Sequence, residues 1–303
     1  MSKFYSNGKL LLSGEYLVLD GAIGLALPTT FGQEMILQES TSEGVLLWHS
    51  LDDKGKSWFE GNFSLPNLEL ISYKGDKGVA TTLQRILLVA KKANNHFLSE
   101  SNGLLVTTNL QFPAKWGLGS SSTLINNIAQ WASVNSYELL WNAFSGSGYD
   151  IACAQHDTSI FYQLVNQQPK VEPTNFNPSF KDQLYFVHLN QKQNSREGIK
   201  RYKEKRGKIE VELDVISDIS KELSKSKKLS EFEGLIRKHE NIISNIIELP
   251  TIQETLFSDY FGVIKSLGAW GGDFILATGD QNTLTYFKEK GYTTVLSYSD
   301  MVL

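Results

Sequence analysis

The sequence predicts an α+β protein in two domains, and three observations lead there. Residues 1–62 hold five short apolar or β-branched runs separated by Gly, Asp and Ser, the pattern of strands joined by turns. Stretches 79–97 and 124–132 change to a three-to-four-residue apolar spacing, which gives helices with one buried face. Beyond a Pro- and Asn-rich connector at 169–178 a fresh buried run begins at 184–189, so a second domain starts there. Strands with intervening helices make an α+β sandwich, with boundaries at 1–178 and 179–303.

Taken in order, strands are expected at 10–12, 16–19, 33–38, 45–49 and 58–62. Along 79–97, Val79, Leu83, Ile86, Leu87, Ala90, Ala93 and Phe97 fall on one helical face. A strand at 104–109 leads into the loop from Pro113 to Ser122, which opens a helix bearing Leu124, Ile125, Ile128, Ala129 and Ala132. A helix over 137–144 and another around Asp150 complete the first half. In the second half the patterns give a strand at 184–189, helices at 211–223, 232–247 and 252–267, a strand at 274–278, a short helix at 283–290 and a strand at 293–298. The run Lys200-Arg-Tyr-Lys-Glu-Lys-Arg206 mixes signs and reads as a solvated helical face whose positive surplus can steer an anion.

Composition excludes several classes of function. With 41% hydrophobic and 20% charged residues among 303, the chain has the make-up of a protein with a real core. Its 29 Lys and Arg against 33 Asp and Glu leave a net charge of −4, with no global basic field to draw nucleic acid or an anionic membrane. Cys153 is the sole cysteine, which excludes an intramolecular disulfide and the usual Cys-based metal sites; a buried small side chain is its expected role. No stretch approaches the roughly 18 apolar residues of a membrane span. The expectation is a cytoplasmic protein, monomer or homodimer, whose partner is a small molecule.

The segment Pro113-Ala-Lys-Trp-Gly-Leu-Gly-Ser-Ser-Ser-Thr123 carries the clearest chemistry. Its glycines let backbone bend tightly and approach a ligand, and its serines occupy the first turn of a helix, where unpaired N–H groups and the macrodipole favour an anion. Serine hydroxyls there can add hydrogen bonds or ligate Mg²⁺. The same composition also suits a plain helix cap. It is neither a Walker A loop, since no Gly-Lys-Ser/Thr follows the spacer, nor the Rossmann pattern.

This segment resembles the central ATP-binding motif of the GHMP kinases, the superfamily of galactokinase, homoserine kinase, mevalonate kinase and phosphomevalonate kinase. Three further motifs appear in the family's order. Gly8-Lys-Leu-Leu-Leu-Ser-Gly-Glu-Tyr16 resembles the first motif and places its active-site lysine at Lys9. Gly146-Ser-Gly-Tyr-Asp-Ile-Ala152 resembles the segment that holds the catalytic aspartate of mevalonate and phosphomevalonate kinases, and places it at Asp150. Ser266-Leu-Gly-Ala-Trp-Gly-Gly-Asp273 resembles the third, glycine-rich motif, with Trp270 in place of the usual small residue.

The resemblance implies a two-domain GHMP kinase fold, with an N-terminal domain like domain 2 of ribosomal protein S5 and a ferredoxin-like C-terminal domain. It implies ATP and Mg²⁺ as cofactors, the nucleotide held by Gly117, Leu118, Gly119, Ser120, Ser121 and Ser122. It further implies an acceptor bound by Glu15, Tyr16, Gly271, Gly272 and Asp273, and by Arg196 in the loop that follows strand 184–189. Arg196 suits a bidentate grip on carboxylate or phosphate, and equally a solvated loop position. Asp150 would accept the acceptor's proton, and Lys9 would keep that aspartate ionised and stabilise the forming alkoxide. Ser121, or Ser120, would ligate the metal. Glu138 is the nearest acidic candidate for a second ligand, its alternative being a solvated face of the 137–144 helix.

Only 28 residues separate Ser122 from Asp150, short beside mevalonate kinase, so part of the helical layer is expected to be missing. Trp48, Trp58 and Trp116 are candidates to sandwich adenine or, alternatively, packing residues. His156, His188 and His239 show no ligand spacing. The leading expectation is a kinase of mevalonate or phosphomevalonate, an enzyme of isoprenoid biosynthesis. A mevalonate diphosphate decarboxylase-like enzyme and a non-catalytic ligand-binding protein of the same fold are the alternatives.

Overall fold

The computed structural model describes residues 1–100, 102–191, 195–268 and 270–303, without the side chains of Ser195 and Arg196. Contacts group the chain into two compact units, one of residues 1–8, 31–114 and 118–155, the other of 9–30, 115–117 and 156–303. This grouping differs from a cut after 178. Residues 24–26 pair with 160–162, and Gly14 is bonded to His239, so both segments go with the C-terminal residues.

In the first unit β1 (Ser2–Ser13) begins and pairs with β2 (Gly24–Glu39), which contributes its residues from 31 onward. There follow β3 (Val45–Leu51), β4 (Ser57–Ser64), β5 (Leu70–Lys74), α1 (Lys77–Ala93), β6 (Leu104–Leu110), α2 (Ser120–Ala132), α3 (Ser136–Ala143) and α4 (Tyr149–Ala154). The strand order is β5-β4-β3-β6-β2, with β3 parallel to β6 and the other ladders of this series antiparallel. Alternation puts Met35, Leu37, Leu46, Trp48, Phe59, Phe63 and Val106 on one face of this sheet. Against them pack Leu83, Ile86 and Leu87 of α1, Ile125 and Ile128 of α2, Leu139 and Leu140 of α3, and Ile151 of α4. Burying each such side chain contributes about 1.5–3 kcal/mol. α1 starts where the Asp76 carboxylate accepts the Val79 N–H at 3.0 Å, and it buries the face its spacing predicts. β5 escapes the sequence reading because it is an edge strand with little buried surface.

The second unit opens with a departure from expectation. Residues 16–19 are not a strand; a 3₁₀ turn spans Leu17–Asp20. Its N–H groups are satisfied locally, Val18 by Gly14 O and Leu19 by Tyr16 O, leaving no ladder to form. The first residues of β2 pair with β7 (Ile160–Val165), which pairs with β8 (Gln168–Pro173). The connector reading of 169–178 thus gives way to a strand over its first part. Pro169 and Pro173 disguised it, and they are tolerated because β8 lies at an edge.

β9 (Leu184–His188) is followed by α5 (Ser195–Lys205), α6 (Glu210–Lys225), α7 (Leu229–Ile247), α8 (Ile252–Leu256), β10 (Ile264–Ser266), β11 (Phe274–Thr278), α9 (Asn282–Glu289), β12 (Val295–Ser297) and α10 (Tyr298–Met301). The order β10-β11-β9-β12 is antiparallel throughout. Val187, Ile275 and Ala277 face a cluster of Phe257, Tyr260 and Phe287. The helix expected over 252–267 stops after five residues and becomes loop and strand. Gln253 causes the turn back: its amide donates to Gly262 O at 2.9 Å and accepts the Ile264 N–H at 3.0 Å. The apolar spacing there serves the core from a loop instead. Among the described residues no helix is long and apolar enough to cross a membrane.

Candidate functional site

The glycine-serine loop does open a helix. Gly119 is the N-cap of α2 with φ 88°, a left-handed conformation that glycine adopts without a Cβ penalty. From Ser120 the first-turn N–H groups lead the helix, Ser120 half-buried and Ser121 exposed. The helix is held from beneath by a buried polar network. Thr123 Oγ1 donates to Gln33 Oε1 at 2.7 Å, and Asn127 Nδ2 to Gln33 O at 2.9 Å. Ser6 Oγ donates to Asn127 Oδ1 at 2.7 Å and accepts from Asn126 Nδ2 at 2.8 Å. Asn126 Oδ1 accepts from Ser136 Oγ at 2.8 Å and Gln155 Nε2 at 3.0 Å. A network satisfied in this way fixes one rotation of the helix.

Beside that helix start the first unit contains a cavity of about 380 Å³. Trp48, Phe59, Leu83, Ile86, Leu110 and Phe144 supply apolar walls, Trp58 and Asp76 also line it, and Ser120 and Ser121 bring the helix start to it. Trp48 is fully buried, its indole N–H donating to Ser50 Oγ at 3.1 Å, whereas Trp58 is 47% exposed. An apolar slot that meets an exposed helix N-terminus suits a flat ring carrying a phosphate chain. Trp116 is placed elsewhere, in the second unit, edge-on to Phe274 with ring centroids 5.4 Å apart.

Asp150 lies in the first turn of α4, half-buried, after N-cap Gly148. Ile151 anchors the turn in the core beside Ile125 and Ile128 of α2, and Cys153 is buried. Between α2 and α4 there is only the eight-residue α3, which accounts for the short span. Glu138 is exposed in the first turn of α3 and is not among the residues lining the cavity. Among the described residues no group of three or more Asp, Glu, His or Cys is placed to hold a metal. The donor set at the helix start is hydroxyl oxygen, which fits Mg²⁺ when phosphate oxygens and water complete its shell.

The second unit gathers three of the sequence motifs. Lys9, Trp116, Gly117, Gly268 and Asp273 line one small cleft of about 10 Å³, room for roughly one water. Gly117 has φ 67°, and a Cβ built there would lie 2.3 Å from Asp273 Oδ2. Asp273 itself has φ 52°; its N–H donates to Gln191 O at 3.1 Å and its carbonyl accepts the Leu189 N–H at 2.8 Å. Gln191 Nε2 donates to Gly271 O at 2.8 Å, so the turn holding Gly271 and Gly272 is tied to the loop after β9. The side chain of Arg196 lies outside the described residues.

Tyr16 has φ 62°, a strained backbone for a residue with a Cβ. It is held there by stacking on Tyr202 at 5.6 Å and by its hydroxyl, which accepts the Trp270 N–H at 3.0 Å. Burial pushes the Tyr16 phenol above its ordinary range. Trp270 also donates its indole N–H to Pro250 O at 2.9 Å, so the departure from the small residue is absorbed by packing. Glu15 is buried, its carboxylate 2.6 Å from Lys265 Nζ. Burial alone would raise the Glu15 carboxyl; the Lys265 charge, with the His239 ring beside it, outweighs that and holds the group below the usual carboxylate range. Lys265, Glu240 and His239 have no signal in the sequence. Each sits in an apolar-spaced run that reads as ordinary helix.

No family model matches the sequence, and comparison with curated proteins finds no match either. Solved structures do match over nearly all of the chain. A mevalonate kinase of Methanococcus jannaschii is similar with a TM-score of 0.69 at 15% identity, covering 97% of this chain and 96% of that one. The Streptococcus pneumoniae phosphomevalonate kinase in complex with phosphomevalonate and AMPPNP gives 0.69 at 14% identity, covering 98% and 100%. The Lactococcus lactis galactokinase complexed with galactose gives 0.69 at 13%, covering 99% and 93%. At such identities the likeness is one of fold. The chain has the mixed α+β fold of the GHMP kinases over nearly its whole length.

Proposed function

We propose that the chain is an ATP-dependent small-molecule kinase that phosphorylates a hydroxyl or phosphate of a small anionic metabolite, mevalonate or phosphomevalonate first among them. The observation that carries this reading is the apolar cavity of about 380 Å³ lined also by Ser120 and Ser121 at the start of α2. Adenine would occupy the slot between the apolar walls. The phosphates would run to the N–H groups of Gly117, Leu118, Gly119, Ser120, Ser121 and Ser122, where the helix dipole offsets their charge.

In the reaction the acceptor oxygen attacks the γ-phosphorus, the bond from γ-phosphorus to the β,γ-bridging oxygen breaks, and ADP leaves. Asp150 takes the proton of an acceptor hydroxyl, and Lys9 stabilises the negative charge on that oxygen. Ser121, with Glu138 as the acidic candidate, would hold Mg²⁺, which would supply charge neutralisation to the phosphates. Tyr16, Gly271, Gly272, Asp273 and Arg196 are proposed to shape the acceptor's place. Glu15, turned inward to Lys265, acts in this reading through the backbone it fixes.

An ADP-release screen over mevalonate, phosphomevalonate, mevalonate diphosphate, homoserine and common sugars, with CO₂ measured in parallel, tests it. ADP formed with one acceptor and no CO₂ is expected. CO₂ from mevalonate diphosphate would move the reading to a decarboxylase, and ADP from none would refute the kinase and favour a ligand-binding protein.

A further inference from the structure

Four ionisable side chains meet in the interior of the second unit. Lys265 of β10 and His239 of α7 are fully buried, Glu15 and Glu240 nearly so. Lys265 Nζ lies 2.6 Å from Glu15 Oε1 and 3.3 Å from Glu240 Oε1, and donates to Ser266 O at 2.9 Å. Glu240 Oε2 accepts the Ser266 N–H at 3.0 Å. His239 Nε2 accepts the Gly14 N–H at 3.0 Å and stands 3.1 Å from Glu15 Oε2. Two backbone segments therefore close on one ionic centre. One is the Gly14-Glu15-Tyr16 stretch after β1, the other Ser266 at the entry to the glycine turn, and Tyr16 ties them again through Trp270.

The proton count singles out His239. Glu15 and Glu240 against Lys265 leave one net negative charge in the interior when the imidazole is neutral. With Nε2 accepting from Gly14 the ring carries its proton on Nδ1. Glu15 Oε2 and His239 Nδ1 then have no hydrogen-bond partner, a costly condition for buried polar atoms. A proton on Nε2 would give Glu15 Oε2 its donor and cancel the charge, but it would take the acceptor away from Gly14. One nitrogen cannot do both. Beside the ring stand Glu15 from the loop and Glu240 from its own helix, with Lys265 of β10 against both carboxylates and the Tyr16 phenol within reach of their charge. From α6, packed on α7, Ser217 and Ser220 reach Ile23 and Ser13, hydroxyl contacts without charge.

We propose that Lys265, Glu240 and His239 are positioning residues for the transfer step. Their buried cluster holds the Gly14–Tyr16 backbone and the Ser266 end of the glycine turn in one arrangement, and the proton on His239 sets how tightly Gly14 is held. The proposal rests on the kinase reading only for its consequence on turnover; the coupling of His239 to Gly14 can be read without nucleotide.

The test records the imidazole signal of His239 and the Gly14 amide by NMR between about pH 5 and 9 on the whole chain, beside the pH profile of kcat. The Gly14 amide should move with the His239 titration, and kcat should show a limb at the same midpoint. In His239→Gln, which cannot titrate, that limb should vanish and kcat fall on the order of tenfold with the KM for ATP within about twofold. Should that variant not fold, Glu240→Gln serves: it removes the carboxylate charge 3.8 Å from Nδ1, and the Gly14 signal and the kcat limb should change together. A Gly14 amide indifferent to His239, or a limb unchanged in the variants, overturns the proposal. Coupled titration in a chain that turns over no ATP would support the hold on Gly14 and refute the kinase reading alone.

Discussion

Replacing Gly117 with alanine should be among the most damaging single-methyl changes in the second unit, and the geometry gives its size. The residue sits at φ 67°, where a Cβ costs about 1–2 kcal/mol. The added carbon would also lie 2.3 Å from Asp273 Oδ2, 2.4 Å from Cγ and 3.0 Å from Cβ, so the Asp273 side chain must leave its place. Overpacking of that kind costs about 1–3 kcal/mol. The two effects together predict a loss of about 2–5 kcal/mol in equilibrium urea denaturation. They separate in a double-mutant cycle. Asp273→Gly removes all three crowding atoms, so in that background Gly117→Ala should cost only the conformational part, about 1–2 kcal/mol. A cost below about 0.5 kcal/mol for Gly117→Ala, or strictly additive effects, would refute the close approach of these two motifs.

Three further outcomes are expected. Asp150→Asn should leave ATP binding, measured by calorimetry, nearly intact while lowering kcat on the order of 10²-fold or more; unchanged turnover removes Asp150 as the base. Val79→Trp, which fills the cavity beside Ser120, should weaken nucleotide binding roughly tenfold or more without unfolding the chain, and unaltered affinity would place adenine elsewhere. Lys265→Met should destabilise the chain by about 3–5 kcal/mol at neutral pH, because Glu15 and Glu240 stay buried without their cation. Glu15 in the wild type has a lowered pKa, so its contribution is present above the ordinary carboxylate range and disappears as pH falls through the lowered value. In the variant the same carboxyl is raised, so stability is gained as pH falls. The gap between the two proteins in urea midpoint should accordingly narrow toward acid, and a constant gap would deny the linkage.

What the sequence revealed follows from which forces act locally. Helices α1 and α2 could be read because their apolar faces repeat at the helical period and pack on a single sheet. The glycine loop could be placed at a helix start for the same reason. The 3₁₀ turn at Leu17–Asp20 misled because apolar residues buried by a turn look like those of a strand, and only the strained Tyr16 and its distant partners decide between them. β8 was hidden by prolines that only an edge position permits. Of the expected site residues, Lys9, Gly117 and Asp273 line one cleft. The ionic cluster was not legible: His239 and Glu240 lie in a helix and Lys265 in a strand more than two hundred residues from Glu15, and nothing local to any of them announces a partner.

The amides beneath α2 carry a consequence for how this protein can change. Asn126 and Asn127 occupy positions where leucine would be the more stabilising choice, yet between them they serve Ser6, Gln33, Ser136 and Gln155. A helix seated on grease can roll by a few degrees at little cost; one seated on six directed bonds cannot. The direction in which the N–H groups of Ser120 and Ser121 point is thus set from the buried side of the helix. Improving the core there by apolar replacement would trade that aim for stability, and directed evolution for heat resistance should find these positions tempting and activity the first casualty.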